Sequence, residues 1–459
     1  MELSDNTVFR KGLNKPMDNE NKLLEKASKP AEDAMKLHPF YKGKIEIVPK
    51  CKITSFDDFA IWYTPGVAEP CKSITKNKEL VFEYTNKWNT VAVLTDGTRV
   101  LGLGDIGPEA ALPVMEGKSL LFKYLGGIDA VPICIDTKDK DEFIEICKKL
   151  QPSFGGFNLE DIEQPKCFDI LDRLRKECNI PVWHDDQQGT AAVTVAGLIN
   201  ALKIVNKKIS DIKIVMVGAG ASNICIARLI IFSGADPGNI IMCDSKGTLH
   251  KGRLELEKTH KQKWEMCLKT NKENIVGDIQ SALKNADVLI ALSQPGPNVI
   301  KKEWIKTMAK NSIVFVCANP IPEIWPWEAK EAGARIVATG RSDFPNQVNN
   351  SLGFPGIFRG VLDVRAKTIT DEMCLAAAIE LAKVQEEKGI DEDHILPAMD
   401  DSDVFIREAV AVGLKAIEQN IASIKLTRQQ LQEKAEFMIN RARTQTKMLI
   451  EQGFIPLPK

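Results

Sequence analysis

Two acid pairs in this 459-residue chain, Glu160-Asp161 and Asp185-Asp186, lie 25 positions apart, the second within Pro181-Val-Trp-His-Asp-Asp-Gln-Gln-Gly-Thr-Ala. Hard divalent cations such as Mg²⁺ or Mn²⁺ take oxygen ligands in an octahedron, so carboxylates from two separate turns can fill several corners and leave others for water and substrate. A glycine loop follows almost at once, Gly218-Ala-Gly220-Ala221-Ser222-Asn223, after the apolar run Ile212 to Val217. In that strand-to-helix setting the first glycine permits a tight turn and Gly220 lets the backbone approach a pyrophosphate. The helix N-terminus then offers its free N–H groups to the phosphates. Asn223 stands where the fingerprint has Gly or Ala, a departure that alters how closely the helix packs. The next predicted strand ends in Asp244-Ser245-Lys246, where an acid suits the ribose hydroxyls of NAD. Lys246, Lys251 and Arg253 suit the 2′-phosphate of NADP, or are a solvated loop, and both cofactors stay open. A metal and a redox dinucleotide would thus be neighbours.

Other polar residues stand where a cleft would need them. Tyr63 precedes a Pro-Gly turn in Trp62-Tyr-Thr-Pro-Gly-Val, from which its phenol can project into a cleft or simply pack. Arg99 is a fixed cation in the glycine-dense stretch Asp96 to Gly107, suited to a small carboxylate. Lys118 opens an apolar helical segment; a lysine there commonly snorkels to the surface, whereas burial near a metal would depress its pKa and make it a base. Asn319, at the end of a predicted strand, and Asn350, in Gln347-Val-Asn-Asn-Ser, fall where an open α/β sheet lines its crevice, although Asn-Pro also opens turns.

The elements that must position these groups alternate strand and helix. Strands are predicted at 91–94, 130–135, 212–217, 239–243, 286–292, 313–318 and 335–338, with helices between and after them. The expected fold is α/β: a doubly wound parallel-sheet, Rossmann-like NAD(P) domain plus an α/β substrate domain, with C-terminal helices packing back. The reading divides the chain into an extension at 1–36, a substrate domain at 37–184, a dinucleotide domain at 185–344, a return to the first domain at 345–425 and a helical tail at 426–459. Leu431, Ala435, Met438, Ala442 and Leu449 give the tail an apolar stripe for tertiary packing. With 61 Lys plus Arg against 62 Asp plus Glu, no net field favours nucleic acid or an anionic membrane. No secretory segment is read at the start, and no apolar run is expected to approach the ~20 residues of a membrane span. Eleven scattered cysteines, several in apolar runs, read as buried thiols of a reducing compartment, so the cytoplasm is expected.

Tyr-Thr-Pro-Gly-Val-Ala, Gly-Leu-Gly-Asp-Ile-Gly, His-Asp-Asp-Gln-Gln-Gly-Thr-Ala and Asp-Phe-Pro-Asn-Gln-Val-Asn-Asn together resemble the malic enzymes, particularly their shorter bacterial and archaeal types, from about Tyr41 to Ile421. The resemblance implies oxidative decarboxylation of L-malate to pyruvate and CO₂ with NADP or NAD, NADP slightly favoured, and Mg²⁺ or Mn²⁺. It implies that Glu160, Asp161 and Asp186 hold the metal and that Lys118, with Asp185, takes the C2 hydroxyl proton. Tyr63 would protonate C3 of enolpyruvate, while Arg99, Asn319 and Asn350 hold the carboxylates and the nicotinamide end. It also implies a homodimer. Two other readings remain, a metal-assisted 2-oxo-acid decarboxylase with a vestigial dinucleotide half and a non-catalytic sensor of malate or nucleotide.

Overall fold

The computed structural model describes residues 29–458, so positions 1–28 of the expected extension lie outside the described residues. These fall into two compact units, 29–47 with 449–458, and Val48–Met448. In the smaller unit residues 29–41 are helical and the Tyr41 hydroxyl donates to the Pro456 carbonyl at 3.0 Å.

The larger unit holds two sheets. Strands β1 (Thr90–Thr95), β2 (Asp129–Cys134), β3 (Gly156–Leu159) and β4 (Val182–His184) form a parallel sheet in the order β2-β1-β3-β4. The second contains β5 (Ile214–Val217), β6 (Ile240–Asp244), β7 (Gly247–Thr248), β8 (Val288–Ala291), β9 (Ile313–Val316) and β10 (Ile336–Thr339). Its order is β10-β9-β8-β5-β6-β7, with β7 alone antiparallel. Every residue of β5, β8, β9 and β10 is buried, which is why these strands are apolar throughout except for Thr339 at the end of β10: helices cover both faces. Strand order reverses between β5 and β8, and a ligand crevice opens at such a switch point. The expected fold class is therefore the observed one.

Helix α1 (Pro108–Gly126) starts with Pro108, whose missing N–H costs nothing in a first turn, and stops at Gly127, φ +64°. A Cβ at Gly127 would lie 2.5 Å from the Met438 carbonyl oxygen. The run Asp185–Val205, most of it helix α2 (Thr190–Val205), is by length and composition able to cross a membrane, contrary to the sequence expectation. Its apolarity has another cause: 78% of its most apolar window is buried, against α3 (Ala221–Phe232) and α5 (Asp371–Lys388).

Helices α4 (Phe354–Asp363) and α6 (Ser402–Glu418) pack on α1. Phe122 of α1 meets Phe354 and Phe358 of α4 at ring distances of 4.6 and 5.2 Å, and Trp183 of β4 closes the cluster. Burying each such ring contributes roughly 1.5–3 kcal/mol, so this cluster fixes α1 against β4. Along α7 (Arg428–Glu451), Leu431, Ala435, Met438 and Ala442 of the expected stripe are buried, together with Ile439, while Leu449 is partly exposed.

Candidate active site

In a parallel sheet all strands open at the same end, and here the ends of the first sheet carry the predicted acids. β1 runs into the loop bearing Arg99, β3 into Glu160-Asp161 and β4 into Asp185-Asp186. One carboxylate oxygen from each of Glu160, Asp161 and Asp186 lies within 4.8 Å of the others. Asp161 has a left-handed backbone, φ +55°, uncommon for a residue with a Cβ and a mark of functional turns. Its N–H donates to Asp186 Oδ2 at 3.0 Å, while its carbonyl accepts from the Arg99 N–H at 3.0 Å. Its Oδ2 is buried without a protein donor. Burial, reinforced by Asp186, pushes the Asp161 carboxyl up to about 8, and burial pushes Glu160 well above the usual carboxylate range. Clustered hard oxygens, short of positive charge and with an orphaned acceptor, fit a divalent cation.

Asp185 turns away from that trio. Fully buried, it accepts from Lys118 Nζ at 2.5 Å through Oδ2 and from the Trp183 indole N–H at 3.1 Å through Oδ1. A Cβ at Gly189 would stand 2.0 Å from Asp185 Oδ1, so the glycine of the motif makes room for the carboxylate. Residues Asp185–Gly189 form one wide turn in which the Thr190 N–H reaches back to the Asp185 carbonyl, a form enriched at functional sites. Lys118 also lies 3.0 Å from Glu160 Oε1, its ammonium 4.5 Å over the Phe354 ring. The sequence reading ties a depressed lysine to a nearby metal, whose charge would oppose the acids around Lys118. Burial does pull the Lys118 ammonium down, but Asp185, Glu160 and Asp186 outweigh it and hold the group charged above the usual lysine range.

The second sheet supplies the facing wall. Gly218 has φ +95°, and a Cβ there would meet the Leu292 carbonyl at 2.2 Å, so this turn requires glycine; Gly220 faces open space. Asn223 is buried, and its amide donates to the carbonyls of Val217 (2.9 Å) and Gly218 (2.7 Å). The side chain that departs from the fingerprint thus braces the turn from beneath. At the end of β6, Arg253 grips Asp244 with two hydrogen bonds of 3.1 Å, and Lys263 stands 3.5 Å from the same carboxylate. Burial opposes ionisation of Asp244, but the guanidinium and the Lys246 N–H hold its carboxyl below the usual range.

These walls enclose a cleft of about 750 Å³. It is lined by Arg99, Lys118, Glu160, Asp161 and Asp186 on one side and by Gly218, Gly220, Ala221, Ser222, Asp244 and Ser245 on the other, with Asn319 and Asn350 between. Asp185 and Asn223 sit just behind the surface. The Lys246 side chain is exposed outside the cleft; the lysine on the dinucleotide side of the lining is Lys263, on the helix Lys261–Lys269, which no local motif marked. Tyr63 does not reach the cleft of its own chain. It is 72% exposed, and the helix before it, Asp58–Trp62, buries no residue.

Residues 42–175 match the family described as malic enzyme, N-terminal domain, and residues 187–417 match malic enzyme, NAD binding domain. The chain is 50% identical over 403 residues to the bifunctional malic/malolactic enzyme of Bacillus subtilis (strain 168), covering 88% of this chain and 97% of that one. It is 49% identical over 380 residues to the NAD-dependent malic enzyme of Geobacillus stearothermophilus, covering 83% and 78%. The crystal structure of Entamoeba histolytica malic enzyme superposes with a TM-score of 0.93 at 51% identity, over 95% of this chain and 92% of that one. With both domains matched and a dinucleotide loop facing the acid cluster across one cleft, the chain belongs to the malic enzyme family.

Proposed function

We propose that the protein oxidatively decarboxylates L-malate to pyruvate and CO₂ in the cytoplasm, using Mg²⁺ or Mn²⁺ and a nicotinamide dinucleotide, with NADP preferred. The observation that carries this reading is the single cleft in which Lys118 and three clustered carboxylates face the Gly218–Ser222 loop. Glu160, Asp161 and Asp186 would hold the cation, which supplies the Lewis acidity that loss of CO₂ from a 2-oxo acid requires. A cation held by the trio would offset the acids that keep Lys118 charged; in its neutral form Lys118 would take the proton of the C2 hydroxyl as hydride leaves for the nicotinamide, with Asp185, 2.5 Å from its Nζ, orienting the amine and sharing that proton. Arg99, Asn319 and Asn350 hold the substrate carboxylates and the nicotinamide amide. The eleven cysteines, all unpaired, suit a reducing compartment.

The preference for NADP rests on charge. Arg253 already occupies Asp244, so that acid is a poor acceptor for ribose hydroxyls, and Lys263 and Ser245 line the cleft where a 2′-phosphate would sit. The assembly rests on Tyr63. Its segment exposes Ile53, Phe56, Ile61, Trp62 and Tyr63, an apolar surface of the kind that marks an interface. A second copy of the chain covering it would carry each Tyr63 into the partner's cleft, where the phenol protonates C3. The test is reduced-nicotinamide absorbance on mixing the protein with L-malate and Mn²⁺, in parallel with NADP and NAD and with pyruvate quantified. One pyruvate per reduced nucleotide, faster with NADP, is expected; no reduction with either nucleotide, while added oxaloacetate still loses CO₂, would favour the simple 2-oxo-acid decarboxylase instead.

A further inference from the structure

Behind the dinucleotide wall lies a carboxylate that the reaction does not use. Glu323 is fully buried, four residues past Asn319. Its Oε1 accepts from the Ser293 N–H at 2.9 Å and the Ser293 hydroxyl at 3.3 Å, and its Oε2 accepts from the Ala318 N–H at 3.1 Å. Its own carbonyl accepts the Ile300 N–H at 3.0 Å. Ser293 follows β8 and Ala318 follows β9, so one side chain ties the exit loops of two adjacent strands; Ser293, Ala318 and Asn319 all line the cleft. These strands lie on the opposite side of β5 from Asp244, which assigns their loops to the nicotinamide half of a dinucleotide whose pyrophosphate sits on the Gly218 turn.

Building on the dinucleotide reading, we propose that Glu323 is a positioning residue for the nicotinamide half, its ionised carboxylate stapling the β8 and β9 loops so that Ser293 and Asn319 present a fixed wall. Two oxygens that both accept match three donors; protonation turns one oxygen into a donor and sets it against an N–H that cannot reverse. Burial pushes this carboxyl up to about 7, against the pull of the Ser293 and Ala318 N–H groups. Its titratable neighbour is Cys317, whose thiol burial keeps neutral. The staple is thus set across the neutral range, closing as pH rises.

The test is fluorescence titration of the full chain with NADH and with NADPH, without malate or metal, between about pH 6 and about pH 8.5. The 2′-phosphate of NADPH titrates near the lower limit, so a change common to both nucleotides reports the protein. The wild type is expected to bind both roughly tenfold more weakly at the low end. Glu323→Gln should bind with the weak affinity throughout and lose the pH dependence. Should that variant not fold, Ser293→Ala removes one donor to the ionised form and should move the midpoint to higher pH. Wild-type binding that is flat with pH, a Glu323→Gln variant that keeps the wild-type dependence, or an unmoved midpoint in Ser293→Ala would overturn the staple. Failure of the wild type to bind either nucleotide at any pH would instead remove the dinucleotide reading on which it rests.

Discussion

The acid wall of the cleft and the Tyr63 segment both carry residues proposed for chemistry, yet the chain treats them oppositely. Lys118, Glu160, Asp161 and Asp185 are all at least nine-tenths buried, with Lys118 in short ion pairs to Glu160 and Asp185, whereas Tyr63 stands 72% exposed on a helix and turn that bury almost nothing. The first group is complete within one chain because three parallel strand ends and α1 converge there. The second is an unfinished surface. A buried charge cluster stays put because removing one partner of a buried pair costs about 3–5 kcal/mol; an exposed phenol has no such restraint until something covers it.

The largest expected effect comes from breaking the buried side. Lys118→Ala should lower turnover by roughly 10²–10⁴-fold, the usual range for a proton-transfer residue, in a steady-state assay with malate; near-wild-type turnover would remove it as the base. Next, Tyr63→Phe should impair pyruvate formation by about 10²-fold while sparing reduction of added oxaloacetate. Mixing it with Lys118→Ala under subunit exchange sharpens the contrast. If the tyrosine acts across a dimer, random pairing should restore about one quarter of the sites, whereas two residues serving the same chain's cleft would restore none.

Smaller effects probe each wall's charge. Lys263→Ala should shift the NADP-to-NAD ratio of kcat/KM by roughly tenfold toward NAD, the worth of one charge-assisted contact; an unchanged ratio would clear Lys263 of that role. Smallest, the metal-free protein should lose stability with pH. The Asp161 carboxyl is raised from 3.8 to about 8 in the fold, so its ionisation is disfavoured there and stability falls as pH rises between those values. Mn²⁺ should flatten the fall of the melting temperature over that range by binding the ionised trio. Equal slopes with and without Mn²⁺ would separate the trio from the metal.

Much of this was legible in the residue order. The apolar strands at 214–217, 288–291 and 313–316 announce themselves because both faces are buried, so every position is apolar. The glycine loop, the acid pairs and Lys118 stand out for a related reason: turns and buried charges tolerate few residue types. β3 and β4 escaped notice, being four and three residues long and carrying Asn158, Trp183 and His184. Helix α4 was also missed, since Pro355, Gly356 and Gly360 disguise a segment that tertiary packing holds helical.

By itself, then, the sequence determined the alternation of strands and helices, the positions of the acid pairs and of the glycine loop, and the family, because periodicity and rare residue types act locally. The tertiary structure alone decided that Arg253 occupies Asp244, that Lys263 replaces Lys246 in the cleft, that three carboxylates keep Lys118 charged, and that Glu323 ties two loops. Each depends on groups far apart in the chain meeting within a few ångströms in a poorly solvated interior, where Coulomb and hydrogen-bond terms are set by geometry that no local pattern encodes.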